Sequence, residues 1–346
     1  MRILAVLTVR NEATFLLEWL AHHRAVGVTD FLVFSNDCQD GTDVMLDQLA
    51  AMGWLTHVRN DGPYDKRGIQ FTALKSAEKL SLVKAADWIL PLDVDEFVNV
   101  HTDDHSIADL INALPEADAI TLTWRLFGNG GVIEFKDQPV TETFTKAAPA
   151  VLHWPWRAAM FKTLYKNNGS YAKLGVHRPR QPQSDDMRWF DGSGRELGKP
   201  FRNKRIFSDF GQDNYGLAQL NHYPLGAMES FVLKSDRGRA VHDADKLGMD
   251  YWVERNFNDE TDATIQCTSA DKTEILTALL GNQTLQVSHS KAVAWRHERF
   301  QKLMLKEPNR ALFGRLLMTP STHSISREKA EIIRSHRLRE LTLGQD

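Results

Sequence analysis

Trp88-Ile89-Leu90-Pro91-Leu92-Asp93-Val94-Asp95-Glu96-Phe97 is the stretch on which the fold of this 346-residue chain turns. Trp88–Leu92 is an apolar run of strand length, and it delivers two aspartates one residue apart to its carboxyl end. In open α/β sheets, ligands sit at the carboxyl ends of strands. Two carboxylates arriving there offer hard oxygen ligands to Mg2+ or Mn2+, ions that usually take one or two carboxylates plus phosphate oxygens. Asp93 and Asp95 are therefore expected to hold a divalent metal against a diphosphate, where it would offset charge on a departing nucleoside diphosphate. The plainer reading is a capped strand end with surface acids. The buried run before the pair and Phe97 after it weigh against that reading.

Working outward, the first half of the chain alternates short apolar runs with amphipathic stretches, the pattern of strand and helix units feeding a mainly parallel sheet. Strands are expected at Ile3–Val9, Phe31–Phe34, Leu55–Val58 and Ala119–Leu126. Helices are expected over Glu12–Val26, closed by Gly27, and over Asp43–Met52, Gln70–Ala86 and Ser106–Leu114. From Asn129 to about Gly216 the chain is irregular and rich in Trp, Gly, Pro and Arg, with one strand at Ala158–Tyr165; beyond Gly226 it reads helical. The expected organisation is a catalytic domain over 1–225, with a nucleotide half 1–130 and an acceptor and insertion region 131–225. A helical C-terminal region, 226–346, packs on it.

Two turns follow the first two strands: Thr8-Val9-Arg10-Asn11-Glu12 and Asn36-Asp37-Cys38-Gln39-Asp40-Gly41-Thr42. Asp37 can accept a hydrogen bond from a base or ribose, and the helix N-terminus near Asn11 favours anionic groups. Plain capping by Asn11 and Asp40 is the competing explanation. Further along, His222 closes a strand and is a candidate metal ligand through neutral imidazole, with His177 competing for that role. Lys234 and Arg237, one helical turn apart, can neutralise phosphates, and Lys162 and Arg67 are further diphosphate contacts. An inverting transfer needs a carboxylate base on the acceptor hydroxyl; Glu229 is the choice, with Asp185 and Asp186 behind it. Trp124, Trp154, Trp156 and Trp189 either stack on a sugar or pack the insertion onto the sheet, and packing is favoured. His22 and His23 read as helix surface and core edge.

Val9-Arg10-Asn11-Glu12, Glu18-Trp19-Leu20, His23, Gly27-Val28, Asp37, Asp40-Gly41-Thr42 and Leu92-Asp93-Val94-Asp95-Glu96-Phe97 together resemble the family 2 type glycosyltransferases, in particular the branch close to family 92. The resemblance is specific through about residue 130. Trp124–Gly131, Leu220–Tyr223, Glu229–Phe231 and Lys234–Gly238 look like later blocks of the same family. It implies a GT-A fold, a nucleotide-diphosphate sugar donor, UDP-linked, and a divalent metal at the Asp-Val-Asp motif. By the same resemblance Thr8 and Asp37 lie at the nucleobase, Asp95 is the principal metal ligand and Asp93 lies nearer the ribose. The acidic Glu-Asp pair that serves many wider relatives as base is missing here.

The bulk properties agree with a small-molecule enzyme. A formal net charge of −3 gives no argument for nucleic acid. Cys38 and Cys267, far apart and without a CxxC, support neither a disulfide framework nor a cysteine zinc site and suit a reducing, cytoplasmic setting. No window of about 18 apolar residues suggests a transmembrane segment. Residues 291–346 carry twelve Lys/Arg against six Asp/Glu, which leaves room for peripheral contact at the inner face of a membrane. Expected partners are a nucleotide-sugar donor and a glycan or lipid-linked acceptor. The alternative is a nucleotidyltransferase, which also needs acidic metal ligands. Its usual Gly-rich loop after the first strand is replaced here by Arg10-Asn11-Glu12.

Overall fold

The computed structural model describes residues 1–64, 66, 68–237 and 247–343. The apolar runs at β1 (Ile3–Val9), β2 (Asp30–Ser35) and β4 (Trp88–Leu92), with the more polar edge strand β3 (Thr56–Arg59), form adjacent parallel strands in the order β4-β1-β2-β3. Helices α1 (Ala13–Ala25) and α2 (Thr42–Ala51) make the crossovers. Helix α5 (Ile107–Ala113) opens with a Ser106/Asp109 capping box before β6 (Ala119–Leu126). The strand Phe161–Lys166 runs antiparallel between β4 and β6, so the central sheet is mixed but mainly parallel, flanked by helices. This is the α/β architecture expected from the sequence, and the helical C-terminal part is present as well.

Three details differ from the sequence reading. The helix expected over Gln70–Ala86 is two, α3 (Ile69–Ala77) and α4 (Ser81–Ala85), because Leu80 is extended between them. Both bury the same side of the chain, so one hydrophobic period runs through the break. A strand unmarked in the sequence, β5 (Glu96–Val100), follows the acidic turn directly; all five residues are buried, including Glu96 and Asn99. It leaves the main sheet and pairs antiparallel with the strand Ala218–His222, which pairs parallel with the end of β6. That pairing sets His222 opposite Glu96.

His22 and His23, expected at the surface and core edge, are both fully buried on α1. His22 Nε2 donates to Val98 O at 2.7 Å, and His23 Nδ1 donates to Trp19 O at 2.8 Å. The His23 ring lies 4.2 Å from that of Trp19 and stacks on Phe97. A neutral imidazole with its N–H satisfied is compatible with a core, which is why residue type alone misplaced them. Burial pushes His22 down to about 4 and His23 further below the ordinary histidine range. The unfolded chain therefore binds more protons than the fold below about pH 6.5. Stability should be complete above that pH and fall as the pH drops toward the folded-state values, by about 1.4 kcal/mol per pH unit for each histidine. Urea unfolding between pH 7.5 and 5 checks this: His22→Gln should flatten the slope, and an unchanged slope would contradict it.

The C-terminal helices are not a separate layer. Helix Ser269–Gly281 packs along α1, and helix Gln283–Met304 contacts α1, α2 and the helix Met228–Arg237. Leu279, Leu285 and Ala292 join the same apolar cluster as β1, α1 and β5. No helix among the described residues is long and apolar enough to cross a membrane.

Candidate active site

The turn between β4 and β5 closes on itself: Glu96 Oε2 accepts from Asp93 N at 2.8 Å, and Asp93 O accepts from Glu96 N at 3.1 Å. Glu96 has no solvent exposure. Its other oxygen accepts from Trp124 Nε1 at 2.7 Å, and Lys162 Nζ lies 3.5 Å away. Burial, with Asp93 and Asp95 adding to it against Lys162, raises the Glu96 carboxyl above the usual range. Glu96 is thus the buttress of the turn, a role hidden in the sequence because it shares the motif with the two aspartates.

The two aspartates diverge. Asp93 is engaged on both oxygens, by Gln70 Nε2 at 3.1 Å and Lys162 Nζ at 2.8 Å. Asp95 Oδ2 accepts from Lys234 Nζ at 2.7 Å and faces His222 Nε2 at 3.7 Å. Burial alone would raise its carboxyl, but the Lys234 ammonium and the His222 ring hold it well below the usual carboxylate range. His222 reaches this place because its strand pairs with β5 and Asp95 O accepts from Tyr223 N at 2.8 Å. Its ring packs on Trp124 at 4.2 Å, burial lowers its pKa despite Asp95, and Nδ1 is buried without a partner. His177 Nδ1 donates to Phe161 O at 3.0 Å and its ring meets that of Trp124 at 5.8 Å, so it shares the Trp124 neighbourhood with His222 and feels the charges of Lys162 and Asp93 without hydrogen-bonding Asp95.

A cavity of about 350 Å3 opens beside Asp95, bounded by the turn Arg10-Asn11-Glu12 after β1, the loop 132–144 and the helices Met228–Arg237 and Gln283–Met304. The loop is anchored where Gly128 touches Phe257 O, with no room for a Cβ, and where Asn129 Nδ2 donates to Val132 O and Gly226 O at 2.8 Å. Asn11, Glu12, Asp95, Lys234 and Arg237 line it, so the structure brings five expected residues together.

Several expectations need correction. Two donors at the start of α1 are already used, since Asp40 Oδ2 accepts from Ala13 N at 3.0 Å and Thr42 Oγ1 from Glu12 N at 2.8 Å, which leaves less of that N-terminus for an anion. Asn11, in a left-handed conformation, uses its Oδ1 on Gln39 N. Lys162 is 1% exposed and committed to Asp93 and Glu96, so it supports the turn from beneath rather than meeting a phosphate. Arg237 is paired with Glu12 and Arg10 O. Glu229 accepts from Phe135 N at 3.0 Å, fastening the loop, and is not among the cavity residues. Asp185 and Asp186 are exposed and away from the cavity. Thr8 is the last residue but one of β1, and Asp37 is exposed just past the end of β2, accepting from Tyr64 OH at 2.6 Å. Arg67 lies outside the described residues. Trp124 and Trp189 are packed within the fold, whereas Trp156 is exposed against Phe207.

Sequence reasoning overlooked Arg10 and Arg296. Both line the cavity, both have a buried Nε without a partner, and neither side chain forms an ion pair among the described residues. No group of three or more His, Cys, Asp or Glu able to hold a metal occurs among the described residues. Asp95 and His222 Nε2, 3.7 Å apart, are the two residues that would hold a divalent ion here, with the Lys234 ammonium competing for Asp95 Oδ2. Asp93 fits less well, since both of its oxygens are engaged.

A family model described as Glycosyltransferase family 92 matches residues 5–189, more than half of the chain. A curated glycosyltransferase family 92 protein of Oryza sativa subsp. japonica is 24% identical over 143 residues, 40% of this chain and 23% of that protein. This chain therefore spans less than a quarter of that relative. Among solved structures, S. aureus TarS 1-349 in complex with UDP overlaps 48% of this chain and 47% of its own at 15% identity and a TM-score of 0.29. Glucosyl-3-phosphoglycerate synthase from Mycobacterium tuberculosis, in complex with Mn2+, UDP and glucosyl-3-phosphoglycerate, overlaps 36% of this chain and 44% of its own at 18% identity and a TM-score of 0.26.

Proposed function

The chain belongs to glycosyltransferase family 92, and from that premise we propose that it moves a sugar from a nucleotide-diphosphate sugar, UDP-linked, to a hydroxyl of a glycan or lipid-linked acceptor. The placement among GT-A, family 2 type enzymes is part of the same proposal. The observation that supports it best is the meeting of Asp95, His222 and Lys234 at the edge of the cavity beside the nucleotide turns.

Each residue then has a task. Thr8 and the exposed Asp37 carboxylate face the nucleobase side. Asp93, held by Gln70 and Lys162, presents a fixed acceptor toward the ribose. Asp95 and His222 would hold the Mn2+ or Mg2+, which when bound supplies Lewis-acid stabilisation of the departing diphosphate. Lys234 adds a fixed ammonium beside Asp95, and the unpaired guanidinium of Arg10 is available to donor phosphates. Of the cavity carboxylates, Glu12 is paired with Arg237 and Asp236 with Arg299. Glu134, exposed and outside any ion pair among the described residues, replaces Glu229 as the candidate base for an acceptor hydroxyl.

The reading is tested by screening nucleotide sugars for Mn2+-dependent hydrolysis and repeating the active case with His222→Ala. If the imidazole holds metal, the variant needs about ten-fold or more Mn2+ for half-activation, and excess metal restores part of the rate. A lowered melting temperature with an unchanged Mn2+ curve would leave His222 only its packing role against Trp124.

A further inference from the structure

We propose that the cavity beside Asp95 is an acceptor pocket selective for molecules carrying a carboxylate or phosphate next to an apolar or ring surface, with Arg296 as the residue that reads the anion. The inference rests on the transferase reading above and names the substrate class of the same site.

Arg296 is 8% exposed and lies on helix Gln283–Met304. Its guanidinium sits against two aromatic rings set edge-to-face, 4.7 Å from the centroid of Phe15 and 4.9 Å from that of Phe135. The rings offer cation–π contact but supply no anion. Nε is sealed from solvent with no acceptor, and no carboxylate among the described residues forms an ion pair with the group. Burial, with Arg237 adding to it, lowers its pKa to about 10, while Glu12, Asp40 and Glu229 oppose, so the group stays charged at neutral pH at a desolvation cost.

The neighbouring cations are already matched. Lys234 donates to Asp95, Arg237 to Glu12, and Arg299 to Asp236 at 2.5 Å. At the rim, exposed Lys136 and Glu134 carry opposite charges. Arg296 is thus a buried charge without an ion pair among the described residues, set against α1 and the loop 132–144, while Arg10 is a second such cation in the turn after β1. A single donor diphosphate at Asp95 accounts for Arg10 and leaves Arg296 to a second anion. The walls around it, Phe15, Phe135, Phe144 and Trp295, suit an apolar or ring face rather than a bare inorganic ion. A buried guanidinium with a free fork prefers a carboxylate or phosphate, to which it can donate two hydrogen bonds.

The test uses the full chain and three probes: phenyl β-D-glucuronide, phenyl phosphate and the neutral phenyl β-D-glucoside, titrated calorimetrically with and without UDP and Mn2+. At least one anionic probe should bind about ten-fold or more tightly than the glucoside, the scale of one charged hydrogen bond. Arg296→Gln should reduce that ratio below about two while UDP affinity stays within about two-fold, and Arg296→Lys should retain part of the ratio because it keeps the charge. Wild-type protein showing no preference for either anion would overturn the proposal without any variant. So would an Arg296→Gln variant that weakens UDP as much as the anionic probe, which would assign the guanidinium to the donor. Failure of UDP to bind wild type while the anion preference persists would instead remove the donor reading and support the anion pocket.

Discussion

Asp95→Ala is expected to lower Mn2+-dependent turnover of the nucleotide sugar by on the order of 10²–10³, the usual cost of removing one preorganised group at developing charge. The carboxylate is ionised across the working range because Lys234 and His222 hold its pKa down, so its charge is present whenever donor binds. The cost to folding should be small. Asp95 is 24% exposed at its side chain and makes no core contact, its backbone carbonyl still accepts from Tyr223, and Lys234 keeps Pro224 O as a partner. Asp95→Asn separates charge from shape, since the amide oxygen can still accept from Lys234. Both variants should lose turnover with a melting temperature close to wild type. Unchanged turnover at saturating donor in either would remove Asp95 from the site.

Lys162→Met should produce the largest loss of stability, about 3–5 kcal/mol, the cost of breaking a buried ion pair by removing one partner. Lys162 is 1% exposed and faces two carboxylates, Asp93 at 2.8 Å and Glu96 at 3.5 Å. Without it Glu96, sealed inside the turn, has no cation, and burial with the neighbouring aspartates favours its protonated form still more. A carboxyl whose folded pKa is raised above the unfolded value stabilises the fold fully below the unfolded pKa and loses that contribution as pH rises through the folded one. The variant should therefore regain stability as pH falls from 8 toward 5, opposite in sign to the histidine effect on α1. Adding Glu96→Gln should restore part of the loss, because the sealed charge is then gone, although Asp93 keeps its charge and the amide nitrogen replaces one of the two oxygens that accept from Asp93 N and Trp124 Nε1. Chemical unfolding of the single and double variants decides this. A loss under about 1 kcal/mol, with no recovery in the double variant, would show that the turn is held by its backbone bonds.

Much of this arrangement is local and can be read along the chain. The β1–β4 strands are short apolar runs with turn residues after them, and Asp93-Val94-Asp95 announces itself within three residues. What depends on distant pairing is hidden. His222 meets Asp95 only because Ala218–His222 pairs with β5, and β5 itself is masked by the buried Glu96 and Asn99, which look like surface residues in sequence. Lysine and arginine are read as solvated by default. Burying Lys162 required two carboxylates from a different strand and turn, and burying Arg296 required rings from α1 and the loop 132–144. The same default misassigned Lys162 to a phosphate. Arg237 was read as free because its partner Glu12 lies at the opposite end of the chain.

The most direct test of the central claim is calorimetric titration of UDP into the wild-type protein with and without Mn2+. The account predicts binding that is about ten-fold or more tighter with Mn2+ and a metal effect that disappears in Asp95→Ala. Equal UDP affinity with and without metal, unchanged by Asp95→Ala, would contradict it.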